Sequence, residues 1–212
     1  MTTIDDIRAR LRLDLDDTDP ANRRWADDEL DRHIAHALRV LGEAIPRQRK
    51  STLTTVANSR DLDISALVPR IEVVAVEYPS GQYPPQYVPF SIWINTLTLL
   101  IDGAPAGGAN VNLYWTAPHQ LDASGSSLVQ QDEEILLDGT AGYAAQQWAS
   151  FATNRLNVGG SDTVEHYRAL ARTKLDAFHN ALLSRGRRAS LRTGRLYTPA
   201  QPKPSQTTDF GP

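Results

Sequence analysis

The chain has 212 residues, with 22 Lys and Arg against 25 Asp and Glu for a formal net charge of −3, and 41% of it is aliphatic or aromatic. That is the composition of a globular protein able to bury a sizeable core, as one domain with an insertion. Cysteine is absent, which excludes disulfides, thiol nucleophiles and Cys-ligated zinc and fits folding in a reducing cytosol; the mixed charges of Met1 to Asp17 argue against a signal peptide, and no segment reaches the ~18 apolar residues of a spanning helix, so a soluble protein with no membrane contact is expected.

Thr3 with Asp6, followed by Ile4, Ile7 and Leu11 at helical spacing, predicts a capped short helix that Asp17 to Asn22, with Pro20, breaks. Trp25 precedes an acidic turn, Asp27 to Glu29, and Leu30, Ile34, Ala37, Leu38, Leu41 and Ile45 form the apolar stripe of a second helix that stops at Pro46. Ala26 stands where a Ser or Thr cap is expected, so Asp27 is the candidate cap.

From Leu53 to Trp115 the period becomes alternating, with Thr-, Val- and aromatic-rich runs between Pro and Gly, which predicts short strands. Leu53 to Val56 and Leu62 to Ile64 are expected to pair across Asn58 and Ser59. Ile71 to Glu77 forms a longer strand, then Phe90 to Ile94, Thr96 to Ile101 with a turn at Asp102 and Gly103, and last Val111, Leu113 and Trp115.

Helical character returns after the polar loop His119 to Ser127. Ile135, Leu136, Tyr143, Ala144, Trp148 and Phe151 share one face with Gly139 and Gly142, glycines that point to close packing or a break. Asn157 to Gly160 ends this helix, and Ser161 or Asp162 caps the next, whose stripe is Val164, Tyr167, Ala171, Leu175, Phe178 and Leu182. Beyond Gly186 little can be buried except Leu191, Leu196 and Tyr197.

The fold class is therefore α+β: N-terminal helices over 1–50, an inserted antiparallel, sandwich-like β subdomain over 51–118, C-terminal helices over 119–185 completing a helical-bundle core, and an extended basic arm over 186–212. Arg185, Arg187, Arg188, Arg192, Arg195 and Lys203 crowd that end with only Asp209 opposing them. The arm reads either as a solvated end or as a grip for an acidic partner or nucleic acid.

No catalytic set is assembled. His119, Asp122 and Ser124 share one loop, but there is no nucleophile elbow, and a turn with side chains bonding nearby amides accounts for them. His33 and His36 with Asp31 lack the further ligands a zinc site needs. Gly103 to Gly108 has no Walker lysine and reads as a hairpin connection. Catalytic residues, metal and cofactor are all expected to be absent. Tyr78, Tyr83 and Tyr87, among three prolines, make either a recognition loop or a rigid strand connection.

Trp25 to Leu38 (WADDELDRHIAHAL), Tyr78 to Val88 (YPSGQYPPQYV), Leu113 to Leu128 (LYW, then HQLDASGSSL) and Trp148 to Gly160 (WASFATNRLNVGG) together resemble the head-to-tail adaptor, or connector, proteins of tailed bacteriophages. The resemblance implies a virion structural protein and not an enzyme: a homo-oligomeric ring of about twelve copies beneath the portal in the neck, assembled in the host cytoplasm. It also implies a C-terminal arm reaching the portal protein through Arg185, Arg187, Arg188, Arg192, Arg195, Leu196 and Tyr197, and an opposite face for the next neck or tail component. DNA would pass through the channel without sequence-specific binding, which an acidic body suits. The alternatives are a tail completion or minor tail protein, a carbohydrate- or peptide-binding module using the Tyr78 to Tyr87 loop with Trp93 and Trp115, and a small hydrolase centred on His119, Asp122 and Ser124.

Overall fold

A computed structural model describes residues 2–153 and 162–194. Helix α1 (Ile4–Asp14) opens with a reciprocal cap: the Asp6 N–H donates to Thr3 Oγ1 and the Thr3 N–H to Asp6 Oδ2. Helix α2 (Asp27–Ala44) begins after Ala26, and Glu29 Oε2 accepts from the Ala26 N–H at 2.9 Å. Asp27 is thus not the cap; it is the first helical residue, and its carboxylate receives Arg12 at 2.6 Å.

Eight strands follow among the described residues: β1 (Arg47–Thr54), β2 (Asp61–Asp63), β3 (Glu72–Glu77), β4 (Phe90–Trp93), β5 (Thr96–Leu99), β6 (Asn110–Ala117), β7 (Leu121–Asp122) and β8 (Gly125–Ser126). They make one antiparallel sheet ordered β1-β6-β3, a second ordered β2-β5-β4, and a β7-β8 ribbon. The pairing expected between Leu53–Val56 and Leu62–Ile64 does not form, because β1 pairs with β6 and β2 with β5. Nor is Gly103 to Gly108 a hairpin connection, since β5 and β6 lie in different sheets.

The insert's first strand begins at Arg47, and Arg47 and Ala117 are partners in one ladder. Leu62, Ile64, Leu67, Val73, Val76, Leu97, Leu99, Val111, Leu113 and Trp115 close its own core between the two sheets.

Helix α3 (Gln130–Thr153) and helix α4 (Asp162–Gly194) complete the bundle. Ile7, Leu11, Leu30, Ile34, Leu41, Leu136, Ala141, Tyr167, Phe178 and Leu182 form its separate core. Neither glycine breaks α3: a Cβ at Gly139 would lie 2.8 Å from Phe178, and one at Gly142 would lie 2.7 Å from Leu175. The glycines let α3 and α4 approach closely. The expected end of α3 at Asn157 to Gly160 and the Ser161 cap lie outside the described residues.

Helix α4 does not stop at residue 185. Arg185 reaches Asp132 in the first turn of α3 and Gly186 faces the Ala44 carbonyl at the end of α2, and the helix continues to Gly194. Residues 186–194 are helical where an extended arm was expected. Arg195, Leu196, Tyr197 and Lys203 lie outside the described residues, as do the side chains of Arg188, Leu191 and Arg192.

Candidate functional site

The structure separates the residues of the one-loop hydrolase reading. Asp122 Oδ1 accepts from the backbone N–H groups of Ser124 and Gly125 and from the Ser124 hydroxyl, tying off the β7-β8 turn. These bonds hold the Asp122 carboxyl below its ordinary value. His119 turns elsewhere: its Nε2 lies 2.8 Å from the Ile45 carbonyl, which can only accept, so Nδ1 is the acceptor for the Ser127 hydroxyl at 3.1 Å. Burial pushes the His119 pKa down despite the opposing Ile45 carbonyl. The imidazole bolts the end of α2 to the segment leading into α3.

His33 and His36 also serve packing. His33 Nε2 pairs with Gln147 Oε1 of α3, and burial lowers its pKa. The His36 ring stands 4.4 Å from that of Tyr143, and Asp31 receives Arg8 in two bonds of 2.8 Å and one of 2.9 Å. Among the described residues no group of three His, Asp or Glu is placed to hold a metal ion.

The Tyr78 to Tyr87 segment divides. Tyr78 packs on the insert's core and the Tyr87 ring lies 6.0 Å from Tyr114, while Tyr83 is 98% exposed. What pins the segment is Glu77, a buried carboxylate that receives Asn112 Nδ2 at 3.0 Å, the Tyr114 hydroxyl at 2.7 Å and the Gly81 N–H at 3.1 Å. Burial pushes the Glu77 carboxyl up; the three donors outweigh it and leave it below its ordinary value. The Tyr114 phenol is driven up by burial and by its bond to Glu77.

A register shift between Val73 and Ala75 places Glu77 there, turning Ala75 and Glu77 toward the Tyr114 and Asn112 side while Val73 and Val76 stay with Trp115 and Leu113. Nothing in the sequence marks that bulge.

Trp93 and Trp115 do not line a shared concave site with this segment. Trp115 is 3% exposed, donates Nε1–H to Ser51 Oγ and carries the Arg49 guanidinium 5.2 Å from its ring, whereas Trp93 is 81% exposed at the β4-β5 turn. Beside it Ile94 is 76% exposed and adopts φ 55°, a left-handed conformation that a β-branched residue rarely takes. This turn is the feature that sequence reasoning missed as a unit, although the run Ile92-Trp93-Ile94-Asn95 is unusually apolar for a hairpin tip.

Of the predicted arm, Arg185 is engaged within the bundle by Asp132. Arg187 is exposed and has no partner among the described residues.

No family model matches the chain. No curated protein matches it. It is similar, at 16% identity, over 79% of its length to 88% of a chain in a solved structure described as the neck of an empty GTA particle computed with C6 symmetry. The TM-score is 0.30, and at that value the likeness establishes neither a shared fold nor a shared role.

Proposed function

We propose that this chain is a non-enzymatic virion structural protein: a head-to-tail adaptor whose copies form a ring beneath the portal in the neck and join capsid to tail around a channel for DNA. The observation that carries the reading is the overshoot of α4. Arg185 pairs with Asp132 in the first turn of α3, and α4 then runs on through Arg187, Arg188 and Arg192 to Gly194, past the start of α3 at Gln130. A basic segment running past the start of its partner helix is the element we assign to docking, and arginine suits bidentate contact with an acidic protein surface.

The motifs that resemble phage adaptors support the same reading, and so does the employment of His33, His119, Asp122 and Ser124 in packing and turns. Copies in such a ring meet through heterologous faces that close by rotation, and the repeated arms gain from multivalency. The adaptor role is preferred over tail completion because the arm is basic and helical at its root, a form suited to insertion at a portal.

Light scattering of the full chain, alone and mixed with a phage portal ring, tests the proposal. A closed multi-copy species, or a monomer that joins the portal ring and assembles there, is expected. A variant lacking residues 188–212 should fold but no longer sediment with the portal; sedimentation that survives the deletion removes the arm from the mechanism, and a full chain indifferent to the portal overturns the adaptor role.

A further inference from the structure

The most exposed tryptophan among the described residues sits on a surface built to present it. Trp93, Thr96 and Asp63 are directly opposed across β4, β5 and β2, and so are Ser91, Thr98 and Asp61 in the next row. Directly opposed residues share a face, so Trp93 projects from the same face as two carboxylates that lie across β5 from it, on the side of the sheet away from its core. Leu62, Leu97 and Ile92 occupy the inner face.

The turn that carries Trp93 is held from both sides. Arg70 donates to the carbonyls of Ile94 at 3.1 Å and Ile64 at 2.9 Å, and the Ile64 N–H donates to the Asn95 carbonyl at 2.9 Å. A left-handed Ile costs roughly 1–3 kcal/mol, and these bonds maintain it although neither exposed side chain contributes to the core. A tryptophan on a backbone already fixed at its tip is the form of an interface anchor, because no loop has to be ordered when it docks.

The bundle offers a matching acceptor. Gln146, Ala149 and Ser150 of α3 with Arg168, Ala171, Arg172 and Leu175 of α4 line a groove of about 550 Å³. Its floor is the small and aliphatic Ala149, Ala171 and Leu175, and its rim carries Arg168, which pairs with Glu165 at 2.9 Å, and Arg172. Arg172 is exposed and has no ion-pair partner among the described residues. Asp61 and Asp63 share the face of the tryptophan on one surface and Arg172 borders an apolar floor on the other, an electrostatic match that would also let an arginine lie over the indole.

A tip-to-tip dimer is too small an alternative: an aromatic side chain buries about 150–250 Å², and a stable interface needs roughly 1,200–2,000 Å² in all. Engaging the outer β2-β5-β4 face against the α3-α4 groove enlists more surface. It also joins two different patches, which is the geometry that propagates around a ring.

We infer that the Trp93 turn of one copy seats in the α3-α4 groove of a second copy, with Asp61 and Asp63 facing Arg172. The inference rests on the ring reading above and supplies its side-to-side contact.

The native chain has no cysteine, so single-cysteine variants report the contact. Thr96→Cys and Ser150→Cys chains, mixed and oxidised, are expected to give a mixed disulfide dimer that neither gives alone. Adding Trp93→Ala or Asp63→Lys to the Thr96→Cys chain should lower its yield about tenfold or more, and Arg172→Asp in the partner should restore it for Asp63→Lys. Circular dichroism of each variant checks that the fold is kept. No mixed dimer, a yield unmoved by Trp93→Ala, or equal yield from cysteines at Leu13 and Leu183 overturns the contact. Light scattering run in parallel separates the two ideas: a ring without the Thr96 to Ser150 crosslink overturns this contact alone, and a chain that never assembles overturns both.

Discussion

Gly139 of α3 faces the Phe178 ring of α4 so closely that a methyl group on it would meet the ring at 2.8 Å. Real Cβ atoms do not sit at that distance, so Gly139→Ala must push the two helices apart. Although alanine favours helix by about 1 kcal/mol over glycine, overpacking costs roughly 1–3 kcal/mol, and a net loss is expected. Thermal melts of the variant should show a lower Tm; an unchanged or raised Tm would mean that Phe178 yields without cost.

Arg12 and Asp17 form a buried ion pair at 2.5 Å, with side chains 7% and 1% exposed. Removing the cation leaves a carboxylate in the interior, so Arg12→Met is expected to cost about 3–5 kcal/mol. The double variant Arg12→Met with Asp17→Asn should recover part of that loss. Urea titrations of the singles and the double give the coupling directly, and strictly additive losses would show that the pair is not the source.

Glu77 is the acceptor for three donors at the root of the tyrosine segment. Glu77→Ala should cost roughly 1–3 kcal/mol because Asn112 and the Tyr114 hydroxyl lose a partner away from water, and Glu77→Gln should cost less. The folded carboxyl titrates below its ordinary value of 4.5. Its stabilisation is thus complete above that pH and is lost as pH falls through the lower folded value. An acid titration of stability that is the same for native protein and Glu77→Gln would refute this.

His33 and His119 both titrate below 6.5 in the folded chain because they are buried. Above pH 6.5 both states hold them neutral. As pH falls below it the unfolded chain takes up protons that the folded chain refuses, so stability declines toward the folded pKa values. Replacing His119 with Gln should flatten that decline; chemical denaturation at several pH values between neutrality and the carboxylate range measures it.

The helices were legible because their signals are local. Thr3 and Asp6 are three residues apart and cap each other as expected, and Tyr167, Ala171, Phe178 and Leu182 are buried at the predicted spacing. The strands were legible, but their partners were not. β1 finds β6 across most of the insert, and Arg47 to Lys50 lie on an edge strand whose polar residues carry no alternating signal. The site readings failed where proximity in sequence stood in for proximity in space: His119 bonds Ile45, 74 positions away, and leaves Asp122 to a turn. Glu77 was hidden by a bulge, because an unbroken strand would have kept it on the face of Val73.

The Arg47–Ala117 pair makes the two ends of the insert neighbours. To the bundle the whole β subdomain is then equivalent to a short closed loop, and the entropy of closing it is met by the β1-β6 ladder itself, not by helix packing. The two cores are accordingly separate units of packing: such a subdomain can be grafted, exchanged or excised at a single point, and the helices would need only a tight connection between Pro46 and Pro118 to remain a bundle.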